Sequence, residues 1–390
     1  MVAPVKILDV REHSLAISRY ADPTIPSGGL TTSIVAVTTD VARDGRPVVG
    51  YGFSSFGRFA QGGLIRERFA PRILSAPAAD LLNDDQSNLD PLRVWATMMT
   101  DEKPGGHGER CVAVGTLDMA VWDAAAKIAG LPLYRFVADR LGRTVPDRPQ
   151  VAVYAGGGYP YPTDDIAQLR DEISRFLDQG YTHAKMKIGG SLKQDLKRIE
   201  AAMALLPSAG HLAVDAMNRY DHARCLEAVA ALAPLGLWWL EDICDPLDFE
   251  TLAEAAHHGP AIAAGEPLFS LAESKLLNRY GGLHPDRDIL LFDPVHCYGL
   301  THYLDIVSTL EATGWPRTAF WPHGGHLFTL HVACALGLGG SEINPVSFQP
   351  FGGLGDGALI HDGVAGLPDS PGVGLETRAV LFDLLRQHLH

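Results

Sequence analysis

Long apolar runs are missing from this sequence. No stretch of about 18 consecutive apolar residues, the length at which a helix can span a bilayer, occurs in the 390 residues. The first residues, MVAPVKILDVREHS, also lack the apolar segment and the small-residue cleavage site of a signal peptide. We therefore expect a protein that has no membrane partner, and we interpret its beginning as part of a folded strand.

Cysteine and positive charge are scarce. The five cysteines are scattered and form no Cys-x-x-Cys pair, so reduced thiols in a cytoplasmic protein are the simplest expectation. A formal net charge of −14 argues against a nucleic-acid partner, which would need a basic surface. The same charge repels anions at long range, so an anionic substrate would need a local positive site.

The first third of the chain has the pattern of an α+β unit. Alternating apolar and polar residues predict three strands of an antiparallel meander, within 5–16, 31–41 and 46–55. A helical stretch follows, in which Val114, Leu117, Val121 and Ala125 share one face, and it stops at Gly130. Residues 1–140 are therefore predicted to form an α+β domain.

From about residue 150, short apolar strands alternate with segments of helix length. Seven such units can be traced, and residues 341–349 leave room for an eighth. This rhythm predicts an α/β fold built on a parallel βα barrel over 141–349. The Gly- and Pro-rich segment 350–390 is predicted to leave the barrel and to complete the first domain.

Six predicted barrel strands each end in a polar residue, and successive members of this series lie 25 to 30 residues apart. That interval is one βα unit, so in a barrel all six side chains gather at the carboxyl-terminal mouth, where catalytic residues collect. The series consists of Lys187, Asp215, Glu241, Glu266, Asp293 and His323.

Three acids stand in the middle of this series, namely Asp215, Glu241 and Glu266. Each alone could be a solvated acid at a strand end. Three clustered carboxylates repel one another unless a cation joins them, and hard oxygen ligands suit Mg²⁺. We therefore predict that these acids bind Mg²⁺.

Lys185 and Lys187 are two residues apart, so on a strand they point to the same side. Their mutual repulsion and a nearby Mg²⁺ are expected to lower the pKa of one lysine towards neutrality. A free amine at this place could remove a proton next to a carboxylate. The alternative is a pair of solvated lysines at a strand end.

His323 and Asp293 end neighbouring predicted strands, so Asp293 could orient the imidazole and hold its proton. His323 would face the substrate from the side opposite Lys187 and could protonate a leaving hydroxyl. His326 is interpreted as a residue at a helix start. No pair of histidines has metal-ligand spacing with a Cys or Glu, which argues against zinc.

Six segments resemble motifs of the mandelate racemase branch of the enolase superfamily, across essentially the full chain. The segments are TLDMAVWDAAAKIAGLPL, KMKIGG, AVDAMNRY, WLEDICDPLD, AAGEPLFS and WPHGGH. Within that branch, EKPGGHGER, PHGGH and FQPFGG are similar to D-tartrate dehydratases. The resemblance implies a modified (β/α)7β TIM barrel over 141–349, capped by an α+β domain of 1–140 and 350–390. It also implies Mg²⁺ as cofactor, a small carboxylate as substrate, and a homo-oligomer.

The resemblance further assigns roles to single residues. It implies Lys187 as the base and His323 as the acid, with Lys185 and Asp293 beside them. Substrate contacts are implied for Lys185 and for three further residues, Lys103, Tyr159 and Glu342. Gln349 is a rival of Glu342 for its place.

Three residues depart from the tartrate dehydratase pattern. Phe56 offers no hydrogen bond, Asp22 would repel a carboxylate, and Pro267 removes a side-chain donor after Glu266. A less polar or differently sized hydroxy acid is therefore an alternative to tartrate. The predicted reaction is dehydration of an acid sugar or tartrate-like diacid to a 2-keto acid. Racemisation or epimerisation at the same site, and a catalytically idle ligand-binding barrel, are the alternatives.

Overall fold

The computed structural model describes residues 4–390 and begins with an antiparallel sheet in the order β1-β2-β3. Its strands are β1 (Ile7–Ala16), β2 (Thr31–Arg43) and β3 (Arg46–Phe53). Asp44 and Gly45, which join β2 to β3, both have positive φ, as a two-residue turn matching the twist of a hairpin requires. The predicted meander is confirmed.

Five helices follow the sheet. They are α1 (Gly62–Leu64), α2 (Ala70–Ser75), α3 (Pro91–Met98), α4 (Glu109–Ala129) and α5 (Leu133–Arg140), with a π-helical turn, Ile65–Phe69, between α1 and α2. α4 ends as predicted, because Gly130 adopts the left-handed conformation that closes a helix. However, α4 is buried on all sides from Cys111 to Lys127, not on one face, because it lies between the sheet and the barrel.

A parallel barrel forms the centre of the molecule. Its strands are β4 (Gln150–Gly157), β5 (Ala184–Lys187), β6 (Leu212–Asp215), β7 (Leu240–Glu241), β8 (Ile262–Ala264), β9 (Ile289–Leu290) and β10 (Ser341–Ile343). Phe320 takes the seventh position through a parallel bridge to Leu290, and its carbonyl accepts a hydrogen bond from the amide of Gly339. β10 pairs with β4, which closes the ring and confirms the predicted eighth unit.

Helices surround this ring. They are α6 (Asp165–Asp178), α7 (Leu192–Met203), α8 (His222–Leu232), α9 (Phe249–His258), α10 (Leu271–Tyr280), α11 (Leu300–Glu311) and α12 (Leu327–Leu336). Short 3₁₀ turns occupy Ala78–Asp80, Ala209–His211, Ala233–Leu235, Arg317–Ala319 and Leu375–Thr377. No helix within residues 4–390 has the length and apolar character needed to cross a membrane.

The segment after the barrel contacts both parts of the molecule. A hairpin of β11 (Ile360–His361) and β12 (Val364–Gly366) pairs antiparallel with β4 of the barrel. The last helix, α13 (Ala379–Leu389), packs on β1 and β2. Phe351, at the start of this segment, also packs on Phe53 of β3. The division of the chain into two domains stays a prediction.

A small apolar cluster fills the barrel below its mouth. It contains Tyr154, Ala213, Trp239, Ala263 and Leu291. Ala213, Trp239 and Leu291 each precede one of the predicted site residues by two positions. Side chains at this spacing point to the same side of a strand, so the inward positions alternate between packing and chemistry.

Helix α4 joins the cap to the barrel through buried acids. The Asp118 carboxylate accepts hydrogen bonds from the amide (3.2 Å) and the hydroxyl (2.7 Å) of Thr301 in α11. A Cβ atom on Gly115 would lie 1.8 Å from the carbonyl oxygen of Val295, so only glycine allows this close approach. The orientation of the cap over the barrel mouth follows from these contacts.

We predict that Asp123→Asn destabilises the protein by about 2–4 kcal/mol. The buried Asp123 carboxylate accepts from the amides of Tyr51 and Val373 and from Lys127 Nζ at 2.6 Å, and an asparagine would turn one acceptor into a donor. Urea unfolding measures the effect. The control is Glu376→Gln, a more exposed partner of the same lysine, expected to cost below about 1 kcal/mol. Equal losses in both variants would contradict the prediction.

Candidate active site

The six polar residues predicted at the strand ends lie together at the carboxyl-terminal mouth of the barrel. Lys187, Asp215 and Glu241 are the last residues of β5, β6 and β7. Each of the other three follows its strand position within three residues; they are Glu266, Asp293 and His323. Five of the six are buried, and the Glu266 side chain is 17% exposed.

Asp215, Glu241 and Glu266 form a candidate metal centre, since one carboxylate oxygen from each lies within 4.8 Å of the others. Two of these side chains are oriented by neighbours. The Met217 amide donates to Asp215 Oδ1 at 2.6 Å, and Trp239 Nε1 donates to Glu241 Oε2 at 3.0 Å. In each case the second oxygen of the carboxylate is left for another partner.

Both lysines form ion pairs with the acids. Lys185 Nζ lies 2.5 Å from Glu241 Oε1 and 3.1 Å from Glu342 Oε1, and Lys187 Nζ pairs with Asp215 Oδ2. Burial lowers the pKa of Lys187, but the Asp215 carboxylate outweighs burial, so that this pKa is raised. The expected shift towards neutrality depends on a Mg²⁺ ion beside these acids and stays a prediction; without the ion, the acids that face Lys187 raise its pKa.

Negative charge is in excess at the mouth. Six carboxylates meet Lys185, Lys187 and His323 there, and they belong to Asp215, Glu241, Asp242, Glu266, Asp293 and Glu342. Burial raises the pKa of Glu241 to about 8; Lys185 opposes this shift and Asp215 adds to it. Burial and the Glu266 carboxylate also raise the pKa of Asp242. A divalent cation fits a site with this donor set and this surplus of negative charge.

His323 has the environment of a proton donor. Its Nδ1 lies 2.8 Å from Asp293 Oδ2, and its Nε2 lies 3.4 Å from Glu266 Oε1. Burial lowers the pKa of His323, but the Glu266 carboxylate and the hydrogen bond to Asp293 outweigh it and raise this pKa to about 9. The imidazole is therefore protonated near neutral pH, as an acid requires.

Asp293 has further partners that the sequence did not suggest. Ser55, a buried residue of the cap with a φ of 52°, donates from Oγ to Asp293 Oδ2 at 2.7 Å. His296 Nδ1 lies 3.6 Å from the same oxygen, and ligand atoms of Asp293, His296 and His323 lie within 4.8 Å of one another. His326 directly precedes α12, at the helix start as predicted, and its Nε2 is 3.2 Å from Ser55 Oγ.

A cavity of about 240 Å³ opens above the lysine and the acids. Tyr159 and Pro267 line it, and a substrate contact of Tyr159 stays a prediction. Glu342 is not among the lining residues; it lies beside Lys185, and its Oε2 accepts a hydrogen bond from the Gly324 amide at 3.3 Å. Burial raises the pKa of Glu342, but Lys185 outweighs it and lowers this pKa.

Several residues that the sequence placed near the substrate do not line the cavity. Lys103 is exposed and does not line the cavity, and the Gln349 amide group bonds to main-chain carbonyls and Arg378. The Asp22 carboxylate accepts from the amide and hydroxyl of Thr24 and is exposed. Phe56 is buried, and neither Asp22 nor Phe56 lines the cavity, because turn formation and packing hold their side chains elsewhere.

The same two cap loops send other residues into the cavity, namely Arg19 and Arg58. Their place in the loops that contain Asp22 and Phe56 was the only signal in the sequence. Asp242 also lines the cavity, although a residue directly after Glu241 would point away on a regular strand. It reaches the site because β7 ends at Glu241 and Asp242 has a φ of 48°.

Comparison with known proteins identifies the family. The sequence of residues 168–380 matches the family described as enolase C-terminal domain-like. This chain belongs to the enolase superfamily. It is 26% identical over 316 residues, 78% of this chain and 79% of the relative, to arabinonate dehydratase of Saccharolobus solfataricus. It is 28% identical over 300 residues, 76% of this chain and 77% of the relative, to 3,6-anhydro-alpha-L-galactonate cycloisomerase of Streptomyces coelicolor.

One solved structure is similar to this chain over nearly its whole length. L-talarate dehydratase from Polaromonas sp. JS666, complexed with Mg and L-glucarate, superposes with a TM-score of 0.71 at 25% identity. The match covers 95% of this chain and 94% of that chain. The predicted α/β barrel with a separate cap is confirmed. None of these three proteins is a D-tartrate dehydratase, so that narrower similarity stays a prediction.

We predict that the acid triplet binds Mg²⁺ in solution. Titration calorimetry should detect binding by the full chain, and Asp215→Asn or Glu241→Gln should weaken it at least about tenfold, because each removes a charged ligand. Glu172→Gln is the control, since Glu172 is a buried acid that bonds Gly158 and Tyr161 outside the triplet. Unchanged affinity in both triplet variants would exclude the assignment.

Proposed function

We propose that this enolase superfamily member is a Mg²⁺-dependent lyase that dehydrates a small hydroxy acid of the acid-sugar type. One observation carries the proposal: Lys187, beside Asp215, and His323, beside Glu266, stand on either side of the acid triplet. The dehydratases among its relatives support the reaction class. A homo-oligomer stays a prediction.

Bound at the acid triplet, Mg²⁺ would supply positive charge against the negative charge that develops on the substrate carboxylate. Lys187, whose Nζ lies 5.3 Å above the ring of Tyr159, is placed to remove the proton next to that carboxylate. The Lys185 ammonium lowers the pKa of Lys187 and thus opposes its protonation. Lys185 is fully buried between Glu241 and Glu342, which keeps its own charge in place.

His323 completes the elimination. Asp293 accepts from Nδ1–H, so the proton on Nε2 is available to a leaving hydroxyl on the carbon beyond the reacting one. Loss of the α-proton to Lys187 and protonation of the hydroxyl by His323 break the C–O bond and release water. The enol that remains rearranges to the 2-keto acid.

A second reaction is supported by the same geometry. Lys187 contacts Asp215 and His323 contacts Glu266, at opposite ends of the triplet, so proton removal by one and return by the other would invert the α-carbon. Reaction in D₂O separates the two possibilities. Deuterium in an inverted product that keeps its hydroxyl would establish epimerisation and reject dehydration.

We predict keto-acid formation from at least one member of an acid-sugar library, abolished by chelation of Mg²⁺. Lys187→Ala should lower kcat by about 10²–10⁴, because no other group replaces the base. His323→Asn should stop water loss but retain exchange of the α-proton in D₂O. Lys193→Ala, at an exposed lysine beyond β5, is the control. Full activity of Lys187→Ala, or turnover without metal, would refute the proposed function, and no turnover at all would favour an idle barrel.

We predict that Ser55→Ala lowers kcat about tenfold with little change in KM, because Asp293 loses a hydrogen bond of about 1.5–3 kcal/mol and holds His323 less firmly. Ser54→Ala is the matched control. Ser54 is equally buried, but its hydroxyl contacts Thr116 at 3.0 Å and not Asp293. If both variants lose the same activity, Ser55 serves stability alone and does not position the acid.

A further inference from the structure

Two arginines of the cap face the candidate active site. Arg19 and Arg58 belong to the loops before β2 and after β3, and both line the cavity that also contains Lys187 and the acids. Within residues 4–390 neither guanidinium group forms a salt bridge with a carboxylate. Two cations without anionic partners at one small cavity need an explanation in a chain whose net charge is −14.

Aromatic rings hold both guanidinium groups. The Arg58 group lies 4.7 Å above the ring of Phe269, and the Arg19 group lies 5.5 Å from the ring of Tyr159. Arg19 also donates from Nη2 to the Ser27 carbonyl at 3.1 Å, while its buried Nε has no hydrogen-bond partner within the described part of the chain. Stacking of this kind fixes the plane of the group and leaves N–H donors at its edge for a ligand.

The rest of the cavity indicates which chemical group of the ligand faces the two arginines. The carboxylate next to the reacting carbon is assigned to the metal end, beside Asp215 and Glu266. A monocarboxylic acid would carry no further charge, and the arginines would face only hydroxyls or water. A second carboxylate supplies the acceptor that a guanidinium group matches with paired hydrogen bonds.

We propose that Arg19 and Arg58 bind a second carboxylate, so that the substrate is a dicarboxylic hydroxy acid and not a monocarboxylic one. This inference rests on the proposed function for the position of the first carboxylate. The cavity of about 240 Å³ is below the range of about 300–1,000 Å³ of sites for drug-sized ligands, in keeping with a small diacid.

The arginines also solve an electrostatic problem. The acids at the mouth and the overall charge of −14 repel a dianion. Arg19 and Arg58 place two positive charges at the cavity, and such local charges favour the capture of an anionic ligand. Binding of the diacid should therefore weaken strongly with ionic strength.

The first experiment measures binding without turnover. 2-Oxoglutarate and 2-oxopentanoate have the same chain length, carry the same keto-acid head and have no hydroxyl to lose. With the Mg²⁺-loaded full chain, calorimetry should give a Kd for 2-oxoglutarate that is about 10- to 100-fold lower than for 2-oxopentanoate. Equal dissociation constants would overturn the proposal.

Variants that each remove one positive charge test which residues cause the preference for 2-oxoglutarate. Arg19→Gln and Arg58→Gln should each weaken 2-oxoglutarate binding about tenfold and leave 2-oxopentanoate binding within about twofold. Arg386→Gln, at an exposed arginine of α13, removes the same charge far from the mouth and should change neither. If both ligands weaken equally in the cap variants, these arginines act on the site as a whole and the proposal is wrong.

Turnover then separates this inference from the proposed function. Galactarate and galactonate differ only in the oxidation of the last carbon, and the wild type should favour galactarate-type diacids over their monoacid counterparts in kcat/KM by at least about tenfold across the library. Turnover of monoacids with equal or better efficiency would reject the second carboxylate and leave the dehydratase intact. Tight diacid binding without any turnover would reject the dehydratase and retain the anion site.

Discussion

Buried negative charge at the barrel mouth is the constraint on which the rest of this structure depends. The carboxylates gathered at the strand ends would force those ends apart if nothing balanced their charge. Lys185, which is fully buried, contacts both Glu241 and Glu342 and thereby links β5 to β7 and to β10 across the barrel. The same side chain opposes protonation of Lys187. The Lys185 ammonium group therefore both holds the strand ends together and affects the pKa of Lys187, so a substitution of Lys185 would change both.

The strand-end residues could be predicted from the sequence because their spacing is a property of the backbone. A βα unit has a nearly constant length, and Asp215, Glu241 and Glu266 follow from it. The cap loops obey no such period, so Arg19 and Arg58 could not be distinguished from their neighbours. Asp242 was missed for another reason, because a local change of φ reverses the direction that strand alternation predicts. The shift of the Lys187 pKa required knowing which acid lies nearest.

Helix α4 shows that a motif can be family-specific without being catalytic. The segment TLDMAVWDAAAK contributes two acids, and both are used to join parts of the fold. The Asp118 carboxylate accepts a hydrogen bond from Thr301 of α11. The Asp123 carboxylate accepts hydrogen bonds from main-chain amides of β3 and of the segment before α13. Burial raises the pKa of Asp118 to about 7. The charged carboxylate is thus disfavoured at the position where its hydrogen bonds fix the cap.

In the loop after β3, four consecutive residues each make a different contact. Ser55 contacts Asp293, Phe56 stacks on Phe348 in the core, a Cβ on Gly57 would reach 3.5 Å from Glu266, and Arg58 lines the cavity. An insertion in this loop would disturb acid, core and metal ligand together. In the part of the chain that the structure describes, residues 18–29 form no hydrogen bond or salt bridge with Asp293 or Glu266. Natural divergence of substrate choice should therefore accumulate in loop 18–29, whereas the loop after β3 should tolerate single exchanges at Arg58 but resist changes of length.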